Sequence, residues 1–188
     1  MPPANVKKYV EKYLTSELRA IVGSDRAHEF PELSNYEKAV IYKYTNDGYE
    51  SLNDRLRKSK GSDVPLFGKH LEKALRKLTN YEGVVFRGVH LSETNINQYR
   101  KALSTGHLLT EYPFLSTSTS FSIANNVPGL NCIFVIASKT GKAIEKIAKF
   151  GIHNPPNERE VLFMPNTQVR VLSISGEGGY TTINIEEV

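Results

Sequence analysis

The chain changes its apolar period once, near Gly83, and that change limits its fold more than any motif does. From about residue 5 to residue 80, apolar side chains recur at helical spacing. Val6, Tyr9, Val10, Tyr13 and Leu14 do so first, and Leu71, Leu75 and Leu78 later. Residues 35–42 predict a helix entered through a Ser34 or Asn35 cap. The turn signal Asn46-Asp47-Gly48 predicts its end. A short helix over 50–58, a loop over 60–65 and a helix over 66–78 follow. Beyond Gly83 the runs are of β type, over 84–89, 112–119, 132–137, 161–164, 168–175 and 180–185, with one helix expected over 95–104. Gly176-Glu177-Gly178-Gly179 predicts a hairpin turn between the last two strands. Helices gathered first and strands after them predict an α+β fold, not alternating βαβ units. The 188 residues fit one domain, with a helical lead-in over 1–80 and a β-rich core over 83–188.

Bulk properties exclude several classes. A net charge of +4 falls short of the density expected of a dedicated nucleic-acid binder. Lys7, Lys8, Lys12, Arg55, Arg57, Lys58 and Lys60 read as solvated helix faces, or as a basic surface toward an acidic partner. The lone Cys132 sits in an apolar run and predicts a buried, inert thiol. The five histidines show no ligand spacing, so no metal site is expected. The start, Met1-Pro2-Pro3-Ala4-Asn5, carries no signal-peptide pattern, and no apolar run approaches ~18 residues. A cytosolic-type domain is expected, one that an unmarked export route could carry or that belongs to a longer protein.

Three segments carry candidate chemistry. In Glu158-Arg159-Glu160, strand alternation through Val161-Leu162-Phe163 would put both glutamates on one face and Arg159 on the other. Taken alone, the motif also fits a charged strand end. Residues 149–156, ending in Pro155-Pro156, are turn chemistry and place the acids at a loop mouth. Arg87 lies inside an apolar strand, where a guanidinium needs an anion; Gly88 beside it admits a ligand or another backbone. Ser116-Thr117-Ser118 alternates hydroxyls, with Ser116 and Ser118 on one face. No Gly-X-Ser-X-Gly elbow accompanies them, which points to orientation by hydrogen bonding rather than to a nucleophile.

Arg87, then Ser116-Thr117-Ser118, then Glu158-Arg159-Glu160 resembles the ordered Arg / Ser-Thr-Ser / Glu-X-Glu signature of mono-ADP-ribosyltransferases. The likeness is to actin-modifying binary toxins, insecticidal toxins and secretion-system effectors. Residues 157–165 are similar to the family's stretch around Glu-X-Glu. Residues 36–45, Gly48-Tyr49 and 52–57 are similar to its helical lead-in, so the resemblance covers about 34–188.

The resemblance implies a two-sheet mixed β core and an enzyme that cleaves NAD and transfers ADP-ribose to a protein side chain. It implies that Glu160 contacts the ribose, Ser116 orients Glu160, and Arg87 holds a phosphate. Gly88, Thr117, Ser118, Tyr44, Tyr49 and Asn53 would complete the NAD site. Glu158 at the first acidic position implies an arginine acceptor, with Phe150 and Asn157 in the substrate-recognition loop. It further implies a toxin or effector, secreted or translocated into a target cell and acting as a monomer on actin or another host or competitor protein. Membrane and nucleic acid are not expected partners. An NAD glycohydrolase on the same site, or an interaction domain with a vestigial site, is the alternative. Two departures stand out: Gly88 replaces a second arginine found in some relatives, and no Lys or Arg lies between Ser116 and Ser138. Phosphate contacts would then come from backbone amides, from Asn125 or Asn126, or from a residue elsewhere.

Overall fold

A computed structural model describes residues 5–177 and 180–188. The first four residues, and the Gly178-Gly179 half of the expected hairpin turn, lie outside the described residues. The lead-in is helical: α1 (Val6–Tyr13), α2 (Thr15–Val22), a short 3-10 turn (Asp25–His28), α3 (Asn35–Lys43), α4 (Tyr49–Lys58) and α5 (Leu66–Leu75). Ser34 caps α3 in a reciprocal capping box with Glu37, which satisfies two backbone donors at the helix start. Every residue from Glu37 to Tyr42 is then buried.

The helix does not stop at Asn46-Asp47-Gly48, contrary to expectation. Tyr44–Gly48 forms one π-helical turn that runs directly into α4. Gly48 is helical there, and a Cβ on it would lie 3.0 Å from the Phe67 ring, so this glycine serves packing rather than a turn. Lys43 also bridges Asp47 at 2.7 Å along the same helical face.

The β part comprises β1 (Tyr81–Val89), α6 (Glu93–Thr105), β2 (Leu109–Glu111), β3 (Leu115–Ser118), α7 (Phe121–Ala124), β4 (Cys132–Ala143), β5 (Glu160–Phe163), β6 (Thr167–Glu177) and β7 (Tyr180–Glu187). Short β2 and α7 were not legible in the sequence. One layer runs β1-β4-β7-β6-β2, with β4 and β7 parallel and the other neighbours antiparallel. β3 and β5 form a second, shorter pair. The expected mixed core is present, but hydrogen bonds join the two layers into one seven-stranded network. Phe86 pairs with Ser118 at one junction, and the far end of β4 pairs with β5 at the other.

Two apolar clusters flank the β3–β5 pair. Leu162 packs into the helical cluster with Tyr44, Phe114 and Ile144, while Leu115, Val161 and Phe163 pack among the strands. Removing such side chains from water stabilises the fold by about 1.5–3 kcal/mol each. Cys132 is fully buried in the second cluster, and burial pushes its thiol up to about 11, as an inert core thiol requires.

Candidate active site

The β3–β5 register brings the hydroxyl row against a carboxylate. Ser116 lies opposite Leu162 and Ser118 opposite Glu160. Directly opposed residues share a face of an antiparallel pair, so these four side chains point toward the helices. Glu160 is only 6% exposed. Burial drives its carboxyl up to about 7; the Ser116 hydroxyl bonds it and pulls the other way, as does the charge of Arg87, while Glu158 adds to the rise.

Glu158 and Glu160 both line one cleft and Arg159 does not, as expected, but strand alternation is not the reason. The strand begins only at Glu160, and Arg159 adopts a positive φ of 49°. Asn157 fixes that turn: its Oδ1 accepts the Arg159 amide at 2.8 Å, and its Nδ2 donates to Glu145 at 2.8 Å. The Glu158 amide donates to the Phe150 carbonyl at 3.0 Å, and its carbonyl accepts the Ser118 hydroxyl at 2.7 Å. Glu158 is therefore held by its backbone while its side chain stays exposed. Partial burial still raises its pKa.

Arg87 lines the same cleft and donates to the Ser116 carbonyl. Among the described residues it forms no ion pair; burial lowers its pKa, while the charges of Glu111 and Glu160 pull the other way. Gly88 also borders the cleft. A Cβ there would sit 1.9 Å from the Ala124 carbonyl, so the glycine admits the backbone at the end of α7. A longer residue after Arg87 would expel that segment. Thr117 borders the cleft, with its hydroxyl donated to the Val161 carbonyl at 2.7 Å.

The opposite wall comes from the π turn and α4. A π turn closes i→i+5 bonds, and the Tyr49 amide bonds the Tyr44 carbonyl, which stacks these two positions. Their rings meet edge-on at 6.3 Å, with Tyr44 buried and Tyr49 exposed at the rim. Asn53 follows on α4 and is buried. One turn further, Arg57 also lines the cleft. No side-chain hydrogen bond or ion pair of Arg57 is present among the described residues, and its charge acts on Arg87. Arg57 was missed in the sequence because it stood in a run of solvated basic residues. Its i,i+4 spacing from Asn53 was the available signal. Asn125 and Asn126 line the cleft as well.

The loop after β4 is clamped from the helical half. Buried Arg26 donates to the carbonyls of Ile147 and Ala148, and the Thr45 hydroxyl accepts the Lys149 amide at 2.8 Å. His153 meets Glu29 at 3.2 Å. Phe150, 37% exposed, and Asn157 thereby stand at the cleft mouth beside Glu158. The cleft of about 960 Å³ lies at the upper end of what ligand pockets occupy.

The profile of the ADP-ribosyltransferase exoenzyme family matches residues 8–188. The chain belongs to that family. Among relatives of the exoenzyme family, a Mycobacterium avium protein provisionally named NAD(+)–arginine ADP-ribosyltransferase Mav is 31% identical over 99% of this chain. The NAD(+)–protein-arginine ADP-ribosyltransferase Tre1 of Serratia proteamaculans is 28% identical over 94% of it. The chain spans 22% of the first relative and 37% of the second. Among solved structures, ADP-ribosyltransferase Vis in complex with agmatine superposes with a TM-score of 0.68 at 27% identity, covering 95% of this chain and 86% of that one. Exoenzyme S from Pseudomonas aeruginosa, solved with human 14-3-3 protein beta and carba-NAD, shares the fold with a TM-score of 0.75 at 22% identity, covering 97% and 86%. No helix among the described residues is long and apolar enough to cross a membrane.

Proposed function

We propose that this chain is the catalytic part of a bacterial toxin or effector that cleaves NAD and transfers ADP-ribose to an arginine of a target protein. The observation that carries the proposal is the meeting, in one cleft, of buried Glu160, the Ser116 hydroxyl against it, and two guanidinium groups that form no ion pair among the described residues, Arg87 and Arg57. Two cations suit a pyrophosphate, which guanidinium groups hold by charge-assisted hydrogen bonds. Arg57 supplies the charge that the segment after Ser-Thr-Ser lacks.

In the proposed reaction the bond between nicotinamide and ribose breaks, and its electron pair leaves with nicotinamide. Positive charge develops on the ribose, as in glycoside hydrolysis. Ionised Glu160, fixed by Ser116, stabilises that charge without having to reorganise. An acceptor guanidinium nitrogen forms the new bond to the ribose carbon, and its proton passes to Glu158. Glu158 suits this role because its side chain reaches solvent at the cleft mouth while its backbone is fixed. The names of Mav and Tre1, and the agmatine held by Vis, favour arginine as acceptor. Phe150, Asn157 and the exposed Tyr49 rim would meet the target protein, actin or another host or competitor protein. The enzyme would act as a monomer in the target-cell cytoplasm after secretion or translocation.

The test is a parallel measurement of nicotinamide release and of labelled ADP-ribose transfer to lysate proteins. Glu158→Gln is expected to keep release and lose transfer, and Glu160→Gln to lose both. Nicotinamide release unaffected by Glu160→Gln would overturn the assignment.

A further inference from the structure

Tyr44 borders the cleft, yet it is only 1% exposed and its hydroxyl is engaged by protein groups. Asn53 donates its side-chain amide to the Tyr44 oxygen at 3.1 Å. The Asn53 carbonyl oxygen in turn accepts the backbone amide of Phe114, just before β3, at 3.1 Å. That second bond fixes which end of the Asn53 amide faces Tyr44. With its oxygen accepting from Asn53, the Tyr44 proton has the Ser116 Oγ within reach, at 3.4 Å. The Ser116 proton is thereby left for the Glu160 carboxylate. The chain of donors runs one way, from α4 through Tyr44 and Ser116 to the acid.

We infer that Tyr44 is a positioning residue for Glu160, a link that ties the hydroxyl of Ser116 to the helical half, rather than a group that binds NAD through its own hydroxyl. The inference rests on the proposed reading of the cleft as an NAD-cleaving site. Three further observations support it. The Tyr44 ring is locked by Phe114 at 5.5 Å and by Tyr49, so its hydroxyl has one direction. The π turn places it there: an ordinary helical turn would rotate position 44 relative to Tyr49. Burial, with the Glu160 charge next, pushes the Tyr44 phenol up to about 12, so it remains a proton donor across the working pH range. Hydrogen bonds in such a row polarise one another and strengthen the last one.

The groups that face Glu160 are Ser116 on β3, Arg87 on β1, Tyr44 on the π turn and Glu158 on the loop. Deleting only the Tyr44 hydroxyl leaves the other three in place. Ser116 then holds the carboxylate less strongly, and Glu160 takes up its proton at a higher pH. Activity that needs ionised Glu160 must fall most on the acid side.

The experiment compares wild type, Tyr44→Phe, Ser116→Ala and the double variant by nicotinamide release from NAD between pH 5.5 and 9, with melting curves as the folding control. Tyr44→Phe is expected to lower kcat about tenfold at pH 6.5, with KM for NAD changed less than about twofold, and to move the acid limb of the pH profile upward. In the Ser116→Ala background the same change is expected to leave the acid limb where it is. An unmoved acid limb in Tyr44→Phe overturns the inference. So does a rise in KM alone, or an equal limb shift in both backgrounds. A wild type that releases no nicotinamide sinks the NAD-cleaving reading itself, a distinct outcome from the other three.

Discussion

At pH 8 the Glu160→Gln variant is expected to melt above the wild type while losing nicotinamide release. The Glu160 carboxyl titrates at about 7 in the folded chain against 4.5 for the free group, first because it is buried. A carboxyl whose pKa rises on folding supports the folded state while protonated. Its contribution is complete below pH 4.5 and is lost as pH climbs through 7. At about 1.4 kcal/mol per pH unit, a rise from 4.5 to about 7 removes about 3 kcal/mol of stability by pH 8 and about 1.4 kcal/mol by pH 5.5. Glutamine keeps the shape, can accept the Ser116 hydroxyl, and carries no charge to desolvate. For a chain of this length, about 3 kcal/mol corresponds to a melting-point gain of about 6–12 °C at pH 8, shrinking to about 3–6 °C at pH 5.5. Scanning calorimetry of both proteins from pH 5 to 8.5 measures this directly. A melting-point difference that does not grow with pH, or a variant less stable than wild type at pH 8, would refute the burial argument.

Three other substitutions probe the surroundings. Arg57→Ala should raise KM for NAD about tenfold with kcat changed less than about twofold, because it removes the proposed phosphate partner, bound equally before and during reaction; steady-state kinetics decide it. Gly88→Ala should lower stability by at least about 2 kcal/mol, since its Cβ would meet the Ala124 carbonyl at 1.9 Å; denaturant midpoints report this. Arg26→Met should reduce transfer to protein more than nicotinamide release, because the carbonyls of Ile147 and Ala148 lose the clamp that seats the proposed recognition loop. Labelled transfer and release measured on one sample separate the two effects.

Much of the fold was legible because it follows from local chemistry. The Ser34 cap, the helices over 66–75 and 93–105 and the long strands all have periodicity or capping that acts within a few residues. The Asn46-Asp47-Gly48 turn did not form: the helix continues as a π turn, in which a Cβ on Gly48 would meet the Lys43 carbonyl at 2.9 Å and the Phe67 ring at 3.0 Å. β2 and α7 span only three and four residues, too few for a period to show. At the candidate site, the structure brings Arg87, Ser116 and Glu160 to one cleft, and the β3–β5 register sets the Ser116 and Glu160 side chains on one face. The orientation of Glu158 came out right for another reason, since it depends on the positive φ of Arg159 and the Asn157 side chain. Arg57 and Arg26 were not legible as site residues. Their roles come from long-range neighbours, the cleft for one and a loop 121 residues away for the other.

The central claim is that Glu160 drives ADP-ribosylation of an arginine on a target protein. Mass spectrometry of a cell lysate incubated with NAD and the purified chain tests it most directly. The expected result is ADP-ribose on arginine side chains of a small set of proteins, absent when Glu160→Ala replaces the wild type. ADP-ribose on no arginine, or the same modified peptides with Glu160→Ala, would contradict it.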